Sequence, residues 1–247
     1  MTGDHFPSPQ AGACRTGAWS AAGALLGVVL SGPLALLVVR AMHPQPAWQD
    51  AEIFARHYHP IQSLPYLGGI VLVGSLVVMM ASIPGIAGPA HRALTSAALA
   101  FTAAFAALIT LNYAIQSTFI PALVQPFDDR NSQVIATLSM SNPKSLAWAI
   151  EMWGWGLFGL ATGLAAPVFF DTPLERAVAA LFITNCALSV AGALLAAIRP
   201  GWVMTPGGLV SFALWNLLLA VALGLALTAF LVRARRLEAS RTGGGSG

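Results

Sequence analysis

Glu151 is the one acidic residue inside a predicted apolar span of this 247-residue chain. It has Trp148 three residues before it and Trp155 four residues after it, so both indoles share its helical face. At 1.5 Å per residue it lies about 9 Å into its helix. A charge at that depth is costly, so it is expected to face protein or water rather than lipid. A carboxylate flanked by two indoles suits an organic cation, through charge and cation–π contact. It also suits a general acid, or a plain hydrogen bond to a neighbouring helix.

The other polar side chains in apolar runs are mostly amides. Asn112 and Gln116 are one turn apart, with Tyr113 beside them; Asn185 has Ser189 at i+4; Asn216 follows Trp215. Such amides serve as glue between membrane helices. Alternatively they converge with Glu151 as the polar floor of an outward-facing cavity lined by Tyr113, Trp148, Trp155 and Trp215. On that reading the ligand-binding set is Glu151, Trp148, Trp155, Asn112, Tyr113, Gln116, Asn185, Trp215 and Asn216.

Other site types are poorly supported. His57 and His59 sit at i,i+2, do not share a helical face, and have no third histidine nearby, so no metal site is expected. Phosphate-loop, nucleophile-elbow and haem motifs are missing, and the sole lysine, Lys144, sits at a helix mouth. No cofactor is expected. Cys14 and Cys186 fall in a tail and an apolar run, which makes a disulfide implausible.

Composition sets the elements that must position these residues. Hydrophobic residues make up 57% of the chain and charged residues 9%, against about 25% charged in a soluble domain. That excludes a soluble enzyme and a disordered chain, and it points to an all-α, polytopic transmembrane bundle. The basic residues are spread singly between apolar runs, so nucleic acid is not an expected partner.

Six apolar runs are expected to be transmembrane helices: 19–39, bent at Gly32-Pro33; 67–87; 93–124; 145–170; 177–198; and 207–232. Asn142-Pro143, Thr172-Pro173 and Thr205-Pro206 read as capped starts of the last three. Residues 46–58 and 133–140 read as short interfacial helices over the outer face. The organisation is then a disordered cytoplasmic tail (1–17), a six-helix domain (18–232) and a basic tail (233–247). The tail ends in GGGSG, which reads as an appended flexible linker.

An even helix count puts both termini on one side. That side carries seven of the 12 basic residues (Arg15, Arg92, Arg176, Arg233, Arg235, Arg236 and Arg241), and the long loops lie on the other. The expected location is the bacterial inner (plasma) membrane, multi-pass, with both termini cytoplasmic. The small-xxx-small pairs Gly23/Gly27 and Gly159/Gly163 could pack within the chain, in a homo-oligomer or on a partner subunit.

The stretch 153–164 (WGWGLFGLATGL), followed by Phe169-Phe170 and Arg176, resembles the DUF4386-like group of uncharacterised bacterial membrane proteins. The resemblance implies a membrane fold and carries no chemistry with it. The residues favour binding or transport of a small lipophilic or cationic molecule. The alternatives are a membrane-embedded enzyme with Glu151 as general acid, and an accessory subunit of a membrane complex.

Overall fold

The computed structural model describes residues 8–242, with the side chains of the last two left out. The expected tail at 1–7 and the terminal GGGSG lie outside the described residues. Among the described residues ten α-helices run in chain order: α1 (Pro9–Ser31), α2 (Pro33–Met42), α3 (Ala51–Arg56), α4 (Leu64–Ser82), α5 (Arg92–Ala114), α6 (Ile120–Val124), α7 (Ser132–Leu138), α8 (Leu146–Ala165), α9 (Pro173–Ile198) and α10 (Pro206–Thr242). The described residues form no strand.

Local chemistry sets the ends. Ser8 caps α1 by accepting the Ala11 N–H at 3.2 Å, with Pro9 at the first position. The helix therefore starts about three turns earlier than its apolar run, and residues 9–17, expected as tail, are helical. Gly32 interrupts α1 and α2, because Pro33 has no N–H to donate back. Thr172 and Thr205 cap α9 and α10 as expected. For α8 the cap is Ser145, not Asn142: the Ser145 hydroxyl accepts the Trp148 N–H. The outer helix expected at 46–58 is confined to α3, since Asp50 caps it by accepting the Ile53 N–H at 2.7 Å.

Five helical stretches are long and apolar enough to cross a membrane: Pro9–Met42, Pro60–Gly85, Pro89–Val124, Pro173–Ile198 and Pro206–Ser240. The 20-residue α8 is not among them, because Glu151, three tryptophans and its glycines dilute its apolar residues. It packs between α5 and α9, and half of its residues are buried, including Glu151. A helix enclosed by protein does not need an apolar face all round.

Consecutive long helices pack on one another: α1 on α4, α4 on α5, α5 on α8, α8 on α9, α9 on α10, and α10 back on α1. Glycine permits the closest approaches. A Cβ on Gly27 would lie 2.5 Å from the Leu72 Cα, and one on Gly159 would lie 2.7 Å from the Ser189 Cβ. Gly23 and Gly163 likewise face Ser75 and Cys186. Both glycine pairs, offered above as surfaces for a partner, are thus engaged by helices of the same chain.

At the end of the bundle near the chain termini, α10 continues past Val232, so Arg233, Arg235 and Arg236 are helical rather than part of a tail. Arg233 is part-buried and donates to the Ile86 carbonyl at 3.2 Å, the Val168 carbonyl at 3.4 Å and Glu175 at 3.5 Å. It ties together two loops and the start of α9. At the opposite end, α3 and α7 pack with α6 in a second small core around Phe54, Ile120 and Ile135.

Gly27→Leu is expected to lower the melting temperature in detergent by about 2–12 °C, because the Leu72 backbone cannot yield; Gly224→Ala, where a Cβ meets nothing within 4 Å, should leave it unchanged. The shift follows from an overpacking cost of about 1–3 kcal/mol or more. Equal melting of the two variants would reject the tight α1–α4 contact.

Candidate functional site

Asn112 and Tyr113 sit at the last turn of α5, and Gln116 sits in the π-helical turn Ile115–Phe119 that joins α5 to α6. Pro121 follows at the start of α6 and cannot donate to the preceding turn, which suits a widened turn there. Opposite them on α8 stand Glu151 and Trp155, one turn apart. Gly154 lets the helices approach, since a Cβ there would lie 2.6 Å from the Ile109 side chain.

Glu151 closes this contact. Its Oε1 accepts from the Tyr113 hydroxyl at 2.9 Å and from Trp155 Nε1 at 2.8 Å, and its Oε2 accepts from Asn112 Nδ2 at 2.9 Å. Asn112 Nδ2 also donates to the Ala147 carbonyl at 3.2 Å, and its Oδ1 faces Gln116 Nε2 at 3.4 Å. Gln116 in turn donates to the Leu138 carbonyl at 2.7 Å and accepts the Met140 N–H at 3.0 Å. Glu151 is 4% exposed and Asn112 fully buried. Each nearest partner of the carboxyl group can donate to one of its oxygens. The polar cluster is closed, with its hydrogen bonds made inside the protein.

A second cluster lies where α8, α9 and α10 meet. Asn185 Nδ2 donates to the Thr162 hydroxyl at 3.0 Å, and Trp215 Nε1 donates to Asn185 Oδ1 at 3.0 Å and to the Ser189 hydroxyl at 3.1 Å. Trp155 joins the two clusters. Its ring meets Trp215 edge-on, with centroids 4.9 Å apart, while its N–H is held by Glu151.

Beyond this pair of indoles is a cavity of about 280 Å³. Met152 and Trp155 of α8, Leu188, Ser189, Gly192 and Leu195 of α9, Trp202 of the intervening loop, and Ser211, Phe212 and Trp215 of α10 are among its walls. No charged side chain lines it.

The nine expected residues therefore separate. Trp155 and Trp215 line the cavity. Asn185 stands behind Trp215. Glu151, Asn112, Tyr113 and Gln116 form the closed cluster on the other side of Trp155, because their mutual hydrogen bonds use the groups a ligand would need. Trp148 is not a cavity wall: its Nε1 donates to the Met140 carbonyl at 2.7 Å and holds the loop after α7. Asn216 is not part of either cluster, since its amide turns outward and bonds the Phe212 carbonyl one turn back. Trp202 was not expected; its only signal is an aromatic residue in the short Pro-Gly-Trp turn ahead of the last helix. His57 and His59 have local tasks. His57 Nδ1 lies 2.9 Å from the Ile53 carbonyl, and His59 Nδ1 accepts the Ile61 N–H while its ring stacks on His43.

No family model matches the chain, and no curated protein or solved structure does either.

The polar cluster predicts a ranking. Glu151→Ala leaves three buried donors without their acceptor, at about 1–3 kcal/mol for each one left unsatisfied. Glu151→Gln keeps an oxygen for Tyr113 and Trp155 but turns an amide toward Asn112. Thermal melting should place Glu151→Ala well below Glu151→Gln, and Glu151→Gln slightly below the parent. An alanine variant as stable as the parent would show that the cluster does not hold α5 to α8.

Proposed function

We propose that this chain is a six-span protein of the bacterial inner membrane that binds or moves a small lipophilic or cationic molecule through the cavity between α8, α9 and α10. The observation that carries the proposal is that cavity: aromatic walls, about 280 Å³, set among helices whose outer faces are apolar. Its size is just below the roughly 300–1,000 Å³ of small-molecule sites.

The sixth span is α8. Twenty residues at 1.5 Å each cover about 30 Å, the thickness of the hydrocarbon core. Its packing between two apolar membrane-length helices supports a crossing beside them. Both termini are cytoplasmic in this arrangement, and α3 and α7 lie at the outer interface. The cavity then opens in the outer half of the bundle, beneath the loop that carries Trp202. Glu151 serves as a positioning residue, acting through the indole of Trp155. The likeness of 153–164 to DUF4386-like membrane proteins belongs to the same proposal.

The topology is tested by cysteine labelling in intact cells, on a background lacking Cys14 and Cys186. A probe at Gln133→Cys should react with an impermeant reagent and one at Ser240→Cys should not. Labelling of position 240 would overturn the orientation.

The cavity is tested by blocking it. A Cβ on Gly192 would lie 3.2 Å from the Met152 methyl and 3.9 Å from the Trp202 ring, so a leucine there enters the cavity. Gly192→Leu should weaken binding of the neutral fluorophore N-phenyl-1-naphthylamine in lipid nanodiscs by about tenfold or more, equivalent to roughly 1.4 kcal/mol. Melting should change little. Undiminished saturable binding would reject the cavity as the site.

A further inference from the structure

The depth of the cavity matches one leaflet of a bilayer. Its wall residue furthest along α9, Leu188, lies ten residues from the Ile198 end, and Trp215 and Trp155 lie nine residues from the starts of α10 and α8. At 1.5 Å per residue each distance is about 14–15 Å, half of a ~30 Å hydrocarbon core.

The walls offer an occupant apolar contact and little else. No acidic or basic side chain lines the cavity. The Trp155 N–H is held by Glu151 and the Trp215 N–H by Asn185 and Ser189, while the Ser211 hydroxyl donates to the Gly207 carbonyl. The Trp202 nitrogen is buried out of a ligand's reach. Leu188, Leu195 and Phe212 line the cavity and are also 49%, 40% and 37% exposed on the outside of the bundle. They lie on stretches long and apolar enough to span a membrane, so the hydrocarbon layer adjoins the cavity between α9 and α10.

The mouth has the opposite character. Trp202 belongs to a tight turn in which its backbone N–H donates to the Arg199 carbonyl at 3.1 Å. Gly201, at φ +81°, lets this turn pack on the start of α8: a Cβ there would lie 3.4 Å from the Pro143 carbonyl and 3.6 Å from the Lys144 Cγ. The turn thus brings two basic residues, Arg199 and Lys144, to the rim of the cavity. Both are exposed, and neither is in a salt bridge. Elsewhere at this end of the bundle Arg56 is paired with Glu52 and Arg130 with Asp128. Cationic side chains at a membrane surface attract anionic headgroups.

We infer that the α8–α9–α10 cavity holds one acyl chain of an anionic phospholipid, entering from the bilayer between α9 and α10, with the lipid phosphate at Lys144 and Arg199. This rests on the cavity reading given above and narrows it to one ligand class. The chain fills a void one leaflet deep, and the charge stays at the interface, where it keeps its water.

The test adds lipids to the full chain in detergent micelles and counts bound molecules by native mass spectrometry. Phosphatidylglycerol and phosphatidylcholine with the same palmitoyl and oleoyl chains are compared. Phosphatidylglycerol should bind about tenfold more tightly, the scale expected of two cations near a membrane surface. The double variant Lys144→Gln/Arg199→Gln should bring it to the phosphatidylcholine level and leave phosphatidylcholine unchanged. Gly192→Leu, which fills the cavity, should weaken both lipids. Inorganic phosphate should displace neither. Phosphatidylglycerol with a diazirine in one acyl chain should crosslink on irradiation to Met152 or to residues 188–195.

The outcomes separate the headgroup, the chain and the cavity. Equal affinity for the two lipids, or a preference that survives the double variant, overturns the headgroup assignment; the cavity reading stands if Gly192→Leu still weakens both. Displacement by inorganic phosphate makes the rim a site for free anions and overturns the lipid. Crosslinks confined to other helices, with lipid binding unaffected by Gly192→Leu while N-phenyl-1-naphthylamine binding falls, overturn this inference alone. Gly192→Leu indistinguishable from the parent for both lipids and for the fluorophore overturns the cavity reading and this inference together.

Discussion

A carboxylate far from water must be surrounded by donors, and Glu151 is. Two donors come from α5 and one from α8 itself. Meeting that requirement fixes much else. The helix that carries Glu151 must sit inside the protein, so α8 lies between α5 and α9 and gives up the uniform apolar face of its neighbours. Asn112 cannot serve Glu151 unless α5 and α8 are close, which is where Gly154 matters. Gln116 extends the network to the Leu138 and Met140 backbone, so the connection between α7 and α8 is held by the same cluster that holds the helices.

The opposite end of the bundle uses a single basic residue in a comparable way. Arg233 spreads its guanidinium over two loop carbonyls and Glu175, a geometry that five fixed N–H donors permit and a lysine does not. The two polar ties are on different helices and at different ends. Between them the contacts are apolar and close, with glycines admitting neighbouring helices. Burial inside a membrane supplies little hydrophobic drive between helices, so close packing and such ties carry much of the specificity.

Trp155 connects structure to the proposed function. One edge of its indole is held by Glu151 and its ring bounds the cavity beside Trp215. A wall fixed by a buried hydrogen bond is preorganised, and preorganisation lowers the cost of binding. The carboxylate thus contributes to the cavity without entering it. That division keeps the acidic side chain out of a cavity whose walls carry no charged residue.

The sequence by itself determined the class: 9% charged residues and long apolar runs leave a helical membrane bundle, and the threonine-proline junctions located the starts of α9 and α10. It also made Glu151 conspicuous and placed Trp155 on its face, since both follow from helical periodicity alone. Tertiary structure decided the rest. Periodicity orients a side chain on its own helix but says nothing of which helix it meets. Asn112 joined Glu151, Gln116 reached the Leu138 and Met140 backbone, Asn185 joined Trp215, and Asn216 turned away, although all four looked alike as polar residues in apolar runs. Arg233 read as the start of a basic tail because its partners, Ile86, Val168 and Glu175, are at least 58 residues away along the chain. The cavity was illegible for the same reason. Its walls come from three helices and a loop, and a void is a property of how surfaces fail to meet, which no single stretch of sequence encodes.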